Sequence, residues 1–203
     1  PVIGEKKVPQ YGFWEPNKIL HILPQNIESL KKSKLVIIIF YRSFIMANDL
    51  NPIRKLYYSF KKNNITSVGI FLPSLKEPKS AKWVEDQISN LSPSCIVNAT
   101  AFSAKNKNGV SPLDIGNVPI FQIALSTNDK KSWEKEDRGL SPTNMAMHVA
   151  LPEIDGRIFA GVASFKKKMP TDFKLQFNEI KHETYKDGIS SITQKVKSWI
   201  KLQ

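Results

Sequence analysis

The charged residues best suited to chemistry are concentrated in one short stretch, which contains Glu153, Asp155 and Arg157 around Gly156. Glu153 and Asp155 are two positions apart, so in an extended segment both carboxylates would point to one side, opposite Ile154. Two carboxylates and a guanidinium on one side could hold a metal ion, or the amide and carboxylate groups of a ligand. They could equally form a turn whose charges pair locally, and composition alone does not separate these interpretations.

Several common catalytic and cofactor-binding patterns are absent from the sequence. No Gly-x-Gly-x-x-Gly follows a predicted strand and no Walker-type loop exists, which argues against a bound dinucleotide or nucleoside triphosphate. No Gly-x-Ser-x-Gly elbow is present either. The histidines, His21, His148 and His182, are far apart, and Cys95 is the only cysteine. A self-contained zinc site or thiolate cluster is therefore not expected, and the sequence offers no complete active site.

The chain is strongly basic, because 30 Lys and Arg residues against 18 Asp and Glu residues give a net charge of +12. Such an excess suits a nucleic-acid surface or the attraction of an anionic substrate. However, the lysines occur mostly in scattered pairs, and aromatic residues are not interleaved with arginine as in single-strand binding. We prefer the simpler explanation, that lysines fill solvated positions, and expect no nucleic-acid partner.

Membrane and secretion signals are missing. No apolar stretch approaches the roughly 20 residues that a membrane-spanning helix needs, so no membrane span is expected. Residues 1–10 are polar and basic, unlike a signal peptide, and the sequence begins without Met. A single cysteine also fits a reducing compartment, and we expect a cytoplasmic protein that has been trimmed from a longer chain.

Apolar runs alternate with helical stripes along the chain. Buried strands are predicted at 34–41, 67–72, 95–98, 120–125 and 158–165. Helices are predicted after Asn51-Pro52, after Ser80, at 131–136, from Ser141-Pro142 through Val149, and over a terminal stripe of Ile189, Ile192, Val196 and Ile200. This order predicts an α/β domain with a mainly parallel sheet and helices on both faces, in Rossmann-like or flavodoxin-like layers.

The predicted organisation has three parts. Residues 1–33 form a lead-in segment that packs on the core, residues 34–165 form the α/β domain, and residues 166–203 form a C-terminal strand and helix that lead to a linker. Parallel sheets bind ligands at the carboxyl ends of their strands. Here those ends carry polar, small and partly aromatic residues at 41–43, 73–75, 98–102 and 125–127, which suits a ligand-facing rim but also suits ordinary turns.

One longer pattern is more specific than any of these features. The sequence Arg-Gly-Leu-Ser-Pro at 138–142, followed by Met-Ala-Met-His-Val-Ala-Leu-Pro-Glu-Ile-Asp-Gly-Arg-Ile at 145–158, resembles the signature stretch of the cobaltochelatase large subunit, the CobN family. A looser version of this stretch occurs in the related large subunit of magnesium chelatase. Further similar motifs follow in the family's order at 40–43, 74–78, 97–102, 111–114 and 118–122. The segment at 98–102 and His148 before Val149 favour the cobalt branch.

The resemblance implies an N-terminal part of the tetrapyrrole-binding large subunit of an ATP-dependent cobaltochelatase. That enzyme inserts Co²⁺ into hydrogenobyrinic acid a,c-diamide in aerobic cobalamin biosynthesis. Co²⁺ would be a substrate, AAA+-type partner subunits would hydrolyse ATP with Mg²⁺, and this part would bind no cofactor and be inactive alone. The alternatives are a magnesium chelatase large subunit, which inserts Mg²⁺ into protoporphyrin IX, and a non-catalytic α/β ligand-binding module.

Candidate site residues follow from the resemblance together with the strand ends. Chelation requires removal of pyrrolic protons and desolvation of the cation, which carboxylates or imidazoles can assist. No catalytic residue is assigned. The candidates are Glu153, Asp155 and His148, although a core or helix-end position is the preferred interpretation of His148. The ligand-binding candidates are Arg42, Ser43, Asn98, Thr100, Arg138 and Arg157, and the principal metal-delivering residues are expected downstream.

Overall fold

The computed structural model describes residues 8–16, 18–20, 34–135, 140–169 and 179–202. Within these ranges the strands are β1 (Gly12–Glu15), β2 (Lys18–Leu20), β3 (Leu35–Tyr41), β4 (Thr66–Leu72), β5 (Cys95–Asn98), β6 (Ile120–Leu125), β7 (Ile158–Lys168) and β8 (Ile180–Thr184). They form one sheet in the order β2-β1-β4-β3-β5-β6-β7-β8.

The helices lie between the strands. They are α1 (Arg42–Met46), α2 (Asn51–Lys62), α3 (Pro78–Leu91), α4 (Lys130–Lys135), α5 (Pro142–Met145), α6 (Leu151–Ile154) and α7 (Lys186–Lys201). A π-helical turn at Ala146–Ala150 joins α5 to α6, and a 3₁₀ turn covers Asp114–Gly116. None of the helices in the described ranges is both long enough and apolar enough to cross a membrane.

The five central strands, β4-β3-β5-β6-β7, run parallel to one another. This order corresponds to 2-1-3-4-5, the flavodoxin-like form of the doubly wound sheet. The prediction of a mainly parallel α/β sheet is therefore confirmed. Since β3 pairs with both β4 and β5, the chain winds outward from β3 in two directions, and the topological switch point lies between the ends of β3 and β5.

Helices cover both faces of the sheet, as predicted. On one face α2 and α7 pack against Val36, Ile38 and Phe40 of β3. On the other face α3 packs against the alternate residues Leu35, Ile37 and Ile39. All six of these β3 side chains have no exposed surface. The strand lacks polar alternation in its sequence because neither of its faces meets water.

Described segments from both the N-terminal and the C-terminal part of the chain belong to the same sheet. β1 pairs antiparallel with β4, so residues 12–15 form a strand of the sheet. Gly69 permits this pairing, because a Cβ atom there would lie 2.9 Å from the carbonyl oxygen of Trp14. β7 runs past the predicted boundary at 165 and pairs with β8, which completes the far edge of the described sheet.

Several element boundaries differ from the sequence predictions, and the helix predicted after Ser80 begins at Pro78 with Glu77 as its N-cap. The short helix predicted at 131–136 is α4, and the strand predicted at 158–165 extends to Lys168. The helix predicted to end at Val149 continues through the π-helical turn to Ile154. Pro152 lies inside this continuous helical segment and cannot donate a helical hydrogen bond. The carbonyl oxygen of Met147, five residues before it in the π-helical turn, accepts from the Phe102 amide instead.

Candidate functional site

Three buried side chains form a closed hydrogen-bond network where β5 and β6 run side by side. The amide of Asn98 donates to Gln122 Oε1 at 2.7 Å, and the amide of Gln122 donates to the carbonyl oxygen of Thr100 at 2.8 Å. The Thr100 hydroxyl donates back to Asn98 Oδ1 at 2.9 Å. The predicted ligand-binding residues Asn98 and Thr100 are thus brought together, but their polar groups bind one another and orient the loop that follows β5.

Asp155 and Arg157 extend this network as a buried ion pair. The Arg157 guanidinium donates to Gln122 Oε1 at 3.1 Å and to Asp155 Oδ2 at 3.0 Å. The Asp155 carboxylate also accepts from the Ser103 hydroxyl and the Ala104 amide, both at 2.6 Å. Asp155 is 6% exposed and Arg157 is 3% exposed. The pair therefore ties the loop after β5 to the end of α6, as the local-pairing interpretation of this stretch anticipated.

The charges in this network are balanced. Burial lowers the pKa of Arg157, while the Asp155 carboxylate and Tyr41 act in the opposite direction. The guanidinium remains protonated, since arginine keeps its proton in proteins. Burial also raises the pKa of Tyr41, whose hydroxyl donates to the carbonyl oxygen of Ala101 at 2.9 Å. Tyr41 is consequently neutral at pH 7 and adds no negative charge to the site.

Glu153 does not join Asp155, which corrects the expectation that both carboxylates face one side. That expectation assumed an extended segment, but α6 is helical through Ile154. Residues two apart lie about 200° apart around a helix of 3.6 residues per turn. Glu153 is accordingly exposed, while Asp155 is buried beneath the loop after β5.

The remaining predicted ligand-binding residues lie elsewhere. Arg42 donates from Nε to the carbonyl oxygen of Pro9 at 2.7 Å and from Nη2 to that of Val8 at 2.8 Å. Its guanidinium therefore holds the N-terminal segment against α1. Ser43 is exposed on α1, and Arg138 lies outside the described residues. Neither Arg42 nor Ser43 contributes a hydrogen bond to the buried network.

His148 lies in the π-helical turn and is only 4% exposed. Neither ring nitrogen has a hydrogen-bond partner in the described part of the chain. Burial lowers the pKa of His148 to about 4, so the imidazole is neutral at pH 7. These features match the interpretation of His148 as a core histidine. They also mark it as an unusual one, because most buried polar atoms are hydrogen-bonded.

A second buried histidine belongs to a cluster that the sequence did not reveal. His182 Nδ1 and Ser164 Oγ share a hydrogen bond of 2.9 Å. Asp49 accepts from the backbone amide of His182 at 2.8 Å and pairs with Lys166 at 3.2 Å. Because Asp49 binds the main chain instead of the imidazole, the cluster lacks the relay of a Ser-His-Asp triad. Burial, with the nearby Lys166 ammonium, lowers the pKa of His182 to about 4.

The described residues offer no group of three or more His, Cys, Asp or Glu side chains arranged to hold a metal ion. Cys95 is buried, and burial raises the pKa of its thiol to about 12. The thiol therefore stays protonated, whereas metal binding and nucleophilic attack require the thiolate.

A cavity of about 340 Å³ opens beside the network, at the switch point between β3 and β5. It is lined by Tyr41, Ser74, Leu75, Lys76, Thr100, Ala101, Phe102, Ser103, Ala104 and Leu151. Most of these residues follow the carboxyl ends of β3, β4 and β5, which the sequence marked as a possible rim. The sequence could not show that the three ends converge on one cavity, because their separation depends on strand order.

Phe102 has an unusual backbone conformation at the mouth of this cavity. Its φ angle is +66°, in the left-handed region that bulky residues rarely occupy, and its side chain is 49% exposed. The Phe102 amide donates to the carbonyl oxygen of Met147 at 2.9 Å, which holds the loop in this conformation. Residues in such strained backbone conformations cluster at active sites and ligand clamps.

The fold and the site together define a doubly wound α/β domain with a candidate binding pocket at its topological switch point. Residues 4–203 match the model of the CobN/Magnesium Chelatase family, and the chain belongs to that family. The predicted family is therefore confirmed. The chain is 28% identical over 165 residues to the aerobic cobaltochelatase subunit CobN of a Sinorhizobium species. It is 33% identical over 133 residues to the subunit of the same name from Pseudomonas aeruginosa.

These relatives are much longer than the chain. The matched segments cover 80% and 65% of this chain but only 13% and 11% of the two CobN subunits. Among solved structures, the catalytic subunit of cobaltochelatase from Mycobacterium tuberculosis is similar with a TM-score of 0.68 and 20% identity. That similarity covers 91% of this chain and 15% of the other, and it shows a shared fold.

Proposed function

We propose that this chain is a domain of the tetrapyrrole-binding large subunit of a cobaltochelatase, which inserts Co²⁺ into hydrogenobyrinic acid a,c-diamide. The observation that carries the proposal is the family match over residues 4–203. The similarity to two cobaltochelatase CobN subunits favours cobalt over magnesium as the inserted metal. A cytoplasmic location accords with this biosynthetic role.

The domain's role in this proposal is to enclose the ligand rather than to perform the chemistry. Two of the charged residues near the switch point, Asp155 and Arg157, are paired with each other and buried. Groups that remove pyrrolic protons and strip water from the cation must reach the reacting atoms. We assign those groups to other parts of the subunit, since the chain spans about an eighth of the length of its CobN relatives. AAA+-type partner subunits would hydrolyse ATP with Mg²⁺.

The test is Co²⁺ insertion by the full-length large subunit combined with its ATPase partners, followed by the absorbance change of the macrocycle. We expect ATP-dependent insertion of Co²⁺ by the complete assembly and none by the 203-residue chain alone. Hydrolase or transferase activity in the purified chain would contradict the proposal. Insertion of Mg²⁺ into protoporphyrin IX, without Co²⁺ insertion, would favour the magnesium branch.

Variants of the three candidate catalytic residues refine the test. Glu153 is exposed, so Glu153→Ala can be examined in the full assembly without a change to the core. If Glu153→Ala leaves both the insertion rate and the macrocycle affinity unchanged, Glu153 has no part in the chemistry. His148→Ala and Asp155→Ala alter buried groups, so their insertion rates are interpreted only alongside their unfolding free energies.

A further inference from the structure

We propose that the cavity at the switch point binds a carboxylate arm of a planar, conjugated ligand. In this arrangement the Lys76 ammonium and the Ser74 hydroxyl hold the carboxylate, and the Phe102 ring packs against the planar part. The inference deepens the proposed function by naming the ligand chemistry of this pocket. It depends on that function only for the identity of the natural ligand.

The charge of the cavity favours an anion. Lys76 lines the cavity, is exposed, and forms no ion pair with the described part of the chain. The adjacent carboxylate of Glu77 is engaged in capping α3, where it accepts from the Lys79 and Ser80 amides. The Asp155 carboxylate behind the wall is already saturated by donors from Ser103, Ala104 and Arg157. The Lys76 ammonium is therefore available to bind an anion at this cavity.

Hydroxyl groups supply the neutral partners of a carboxylate. The Ser74 oxygen accepts from the Lys76 amide at 3.1 Å, which leaves the Ser74 proton free to donate to a ligand. The Tyr41 hydroxyl donates to the Ala101 carbonyl oxygen, so it is fixed in place and uncharged. An ammonium and a hydroxyl that line the same cavity are the two kinds of donor that a carboxylate accepts from.

The size and walls of the cavity indicate an arm rather than a whole macrocycle. Its volume of about 340 Å³ is near the lower limit of small-molecule sites, which span roughly 300–1,000 Å³. Leu75, Ala104 and Leu151 provide apolar walls for a short hydrocarbon link. A larger planar body would remain outside, where the exposed ring of Phe102 offers a stacking surface.

A larger concavity on another part of the molecule is the natural comparison. It has a volume of about 1120 Å³ and is lined partly by Lys130, Lys131, Lys166, Lys167 and Lys168. Three of these lysines are already paired: Lys130 with Glu134, Lys166 with Asp49 and Lys167 with Glu183. This surface serves as a control for unspecific anion binding, because it contains more lysines but no aromatic ring among its lining residues.

The first test is a titration of the isotope-labelled 203-residue chain with pyrrole-2-carboxylate, followed by amide chemical shifts. We expect shifts at Lys76, Phe102 and Ser103, and much weaker shifts with pyrrole-2-carboxamide, which has the same shape without the charge. Lys76→Gln should weaken carboxylate binding by about tenfold, the cost of one charge-assisted hydrogen bond. Lys131→Gln, in the larger concavity, is the matched control and should leave the affinity unchanged.

The second test separates the ring from the backbone conformation. Phe102→Gly keeps a residue that adopts the left-handed backbone but removes the aromatic surface, and it should weaken binding severalfold. Phe102→Tyr preserves the ring and should retain the affinity. Tyr58→Ala removes another exposed aromatic side chain, on α2, and serves as the control. An unchanged pattern of amide shifts away from the cavity verifies that each variant is folded.

The third test uses the full-length large subunit with its ATPase partners. Lys76→Gln and Phe102→Gly should raise the KM for hydrogenobyrinic acid a,c-diamide by about tenfold, with the effect in KM rather than in kcat. The inference is overturned if the carboxamide binds as well as the carboxylate, if the shifts cluster at 130–131 and 166–168, or if neither variant alters affinity or KM. Each of those results would leave the proposed function standing when the unmodified assembly inserts Co²⁺. Carboxylate-selective binding at Lys76 without any Co²⁺ insertion would instead reject the function and retain the pocket.

Discussion

At the scale of single residues, the Asp155–Arg157 pair holds the candidate site together. Its carboxylate accepts from a loop hydroxyl, a loop amide and a guanidinium, and the guanidinium also reaches the amide of Gln122 in β6. One ion pair thereby joins the loop after β5, the strand β6 and the end of α6. The same loop provides Thr100, Phe102 and Ser103 to the cavity, so its position depends on this pair.

Removal of either charge from the pair should be strongly destabilising. We expect Asp155→Ala and Arg157→Ala each to lower the free energy of unfolding by about 3–5 kcal/mol, because each leaves a buried charge without its partner. The double variant should lower the free energy of unfolding by less than the sum of the two single decreases, since neither charge is then left without its partner. Urea unfolding followed by circular dichroism measures all three values.

The exposed pair of Lys82 and Asp86 on α3 provides the control for this prediction. The distance from Lys82 Nζ to Asp86 Oδ1 is 3.0 Å, the same as that from Arg157 Nη2 to Asp155 Oδ2 in the buried pair. Both side chains of the exposed pair are, however, more than half exposed. Lys82→Gln should leave the unfolding midpoint nearly unchanged, because water screens the interaction. Equal effects of Lys82→Gln and Arg157→Ala would show that burial does not determine the strength of the network.

His148 predicts a loss of stability in acid. Its pKa is about 4 in the folded chain because of burial, against 6.5 in an exposed histidine. Between these values the unfolded chain binds a proton that the folded chain does not, so stability is lost as the pH falls below 6.5. The free energy of unfolding should therefore fall less in His148→Leu than in the original chain between roughly pH 7 and pH 4.5, by about 2 kcal/mol.

Urea unfolding at a series of pH values measures this effect. At pH 7 His148→Leu should be neutral or stabilising, since it removes two ring nitrogens that have no partner in the described part of the chain. His182 retains its own depressed pKa, so the variant keeps a smaller acid sensitivity. Identical pH profiles for the variant and the original chain would mean that His148 is accessible to protons in the folded state.

At the scale of elements, the C-terminal helix α7 is integral to the fold. Ile189, Ile192 and Val196 belong to the core on one face of the sheet. The Lys195 ammonium donates to the carbonyl oxygen of Ala160 at 2.8 Å, which ties the helix to β7. The Trp199 indole donates to the carbonyl oxygen of Ser94 at 3.3 Å, just before β5. The helix is therefore fixed along its length by both apolar and polar contacts.

Gly188 permits the close approach of α7 to β7. A Cβ atom at this position would overlap the carbonyl oxygen of Val162 and would lie 2.7 Å from the Tyr185 ring. Since the backbone of β7 or α7 must move to relieve this overlap, Gly188→Ala should lower the free energy of unfolding by about 1–3 kcal/mol. Thermal unfolding should show a decrease in Tm of about 3–10 °C.

Ser190→Ala is the matched control for the Gly188 prediction. Ser190 lies on the same helix but is exposed, and alanine has the higher helix propensity, so its Tm should be unchanged or slightly raised. If Gly188→Ala is as stable as Ser190→Ala, the contact between α7 and β7 is looser than the structure indicates.

At the scale of the whole molecule, the net charge of +12 comes from basic residues that are scattered along the sequence. Even in the lysine-lined concavity, Lys130, Lys166 and Lys167 are paired with acidic side chains. We expect the chain to bind duplex DNA weakly and without sequence preference, and to lose this binding by about 200 mM salt. Fluorescence anisotropy with two unrelated duplexes tests this expectation. Sequence-specific binding that persists at that salt concentration would revive a nucleic-acid function.

The amino-acid sequence by itself determined the layered α/β class and the family. β3 could be identified as a buried strand because its first six residues are apolar in an unbroken run, which is a local property. The stripe of Ile189, Ile192, Val196 and Ile200 predicted α7 for the same reason, and all four side chains are buried. The ordered motifs around residues 138–158 identified the CobN/magnesium chelatase family, and the family match over 4–203 confirms it.

The assembly of the site depends on contacts between residues that are far apart in the sequence. The opposite orientations of Glu153 and Asp155 depend on the helix continuing through residue 154, beyond the end that the sequence predicted. The convergence of Tyr41, Ser74 and Phe102 on one cavity depends on strand order, and that order is set by contacts between residues far apart in the chain. Local patterns specify which segments become strands and helices, whereas non-local packing determines which side chains meet.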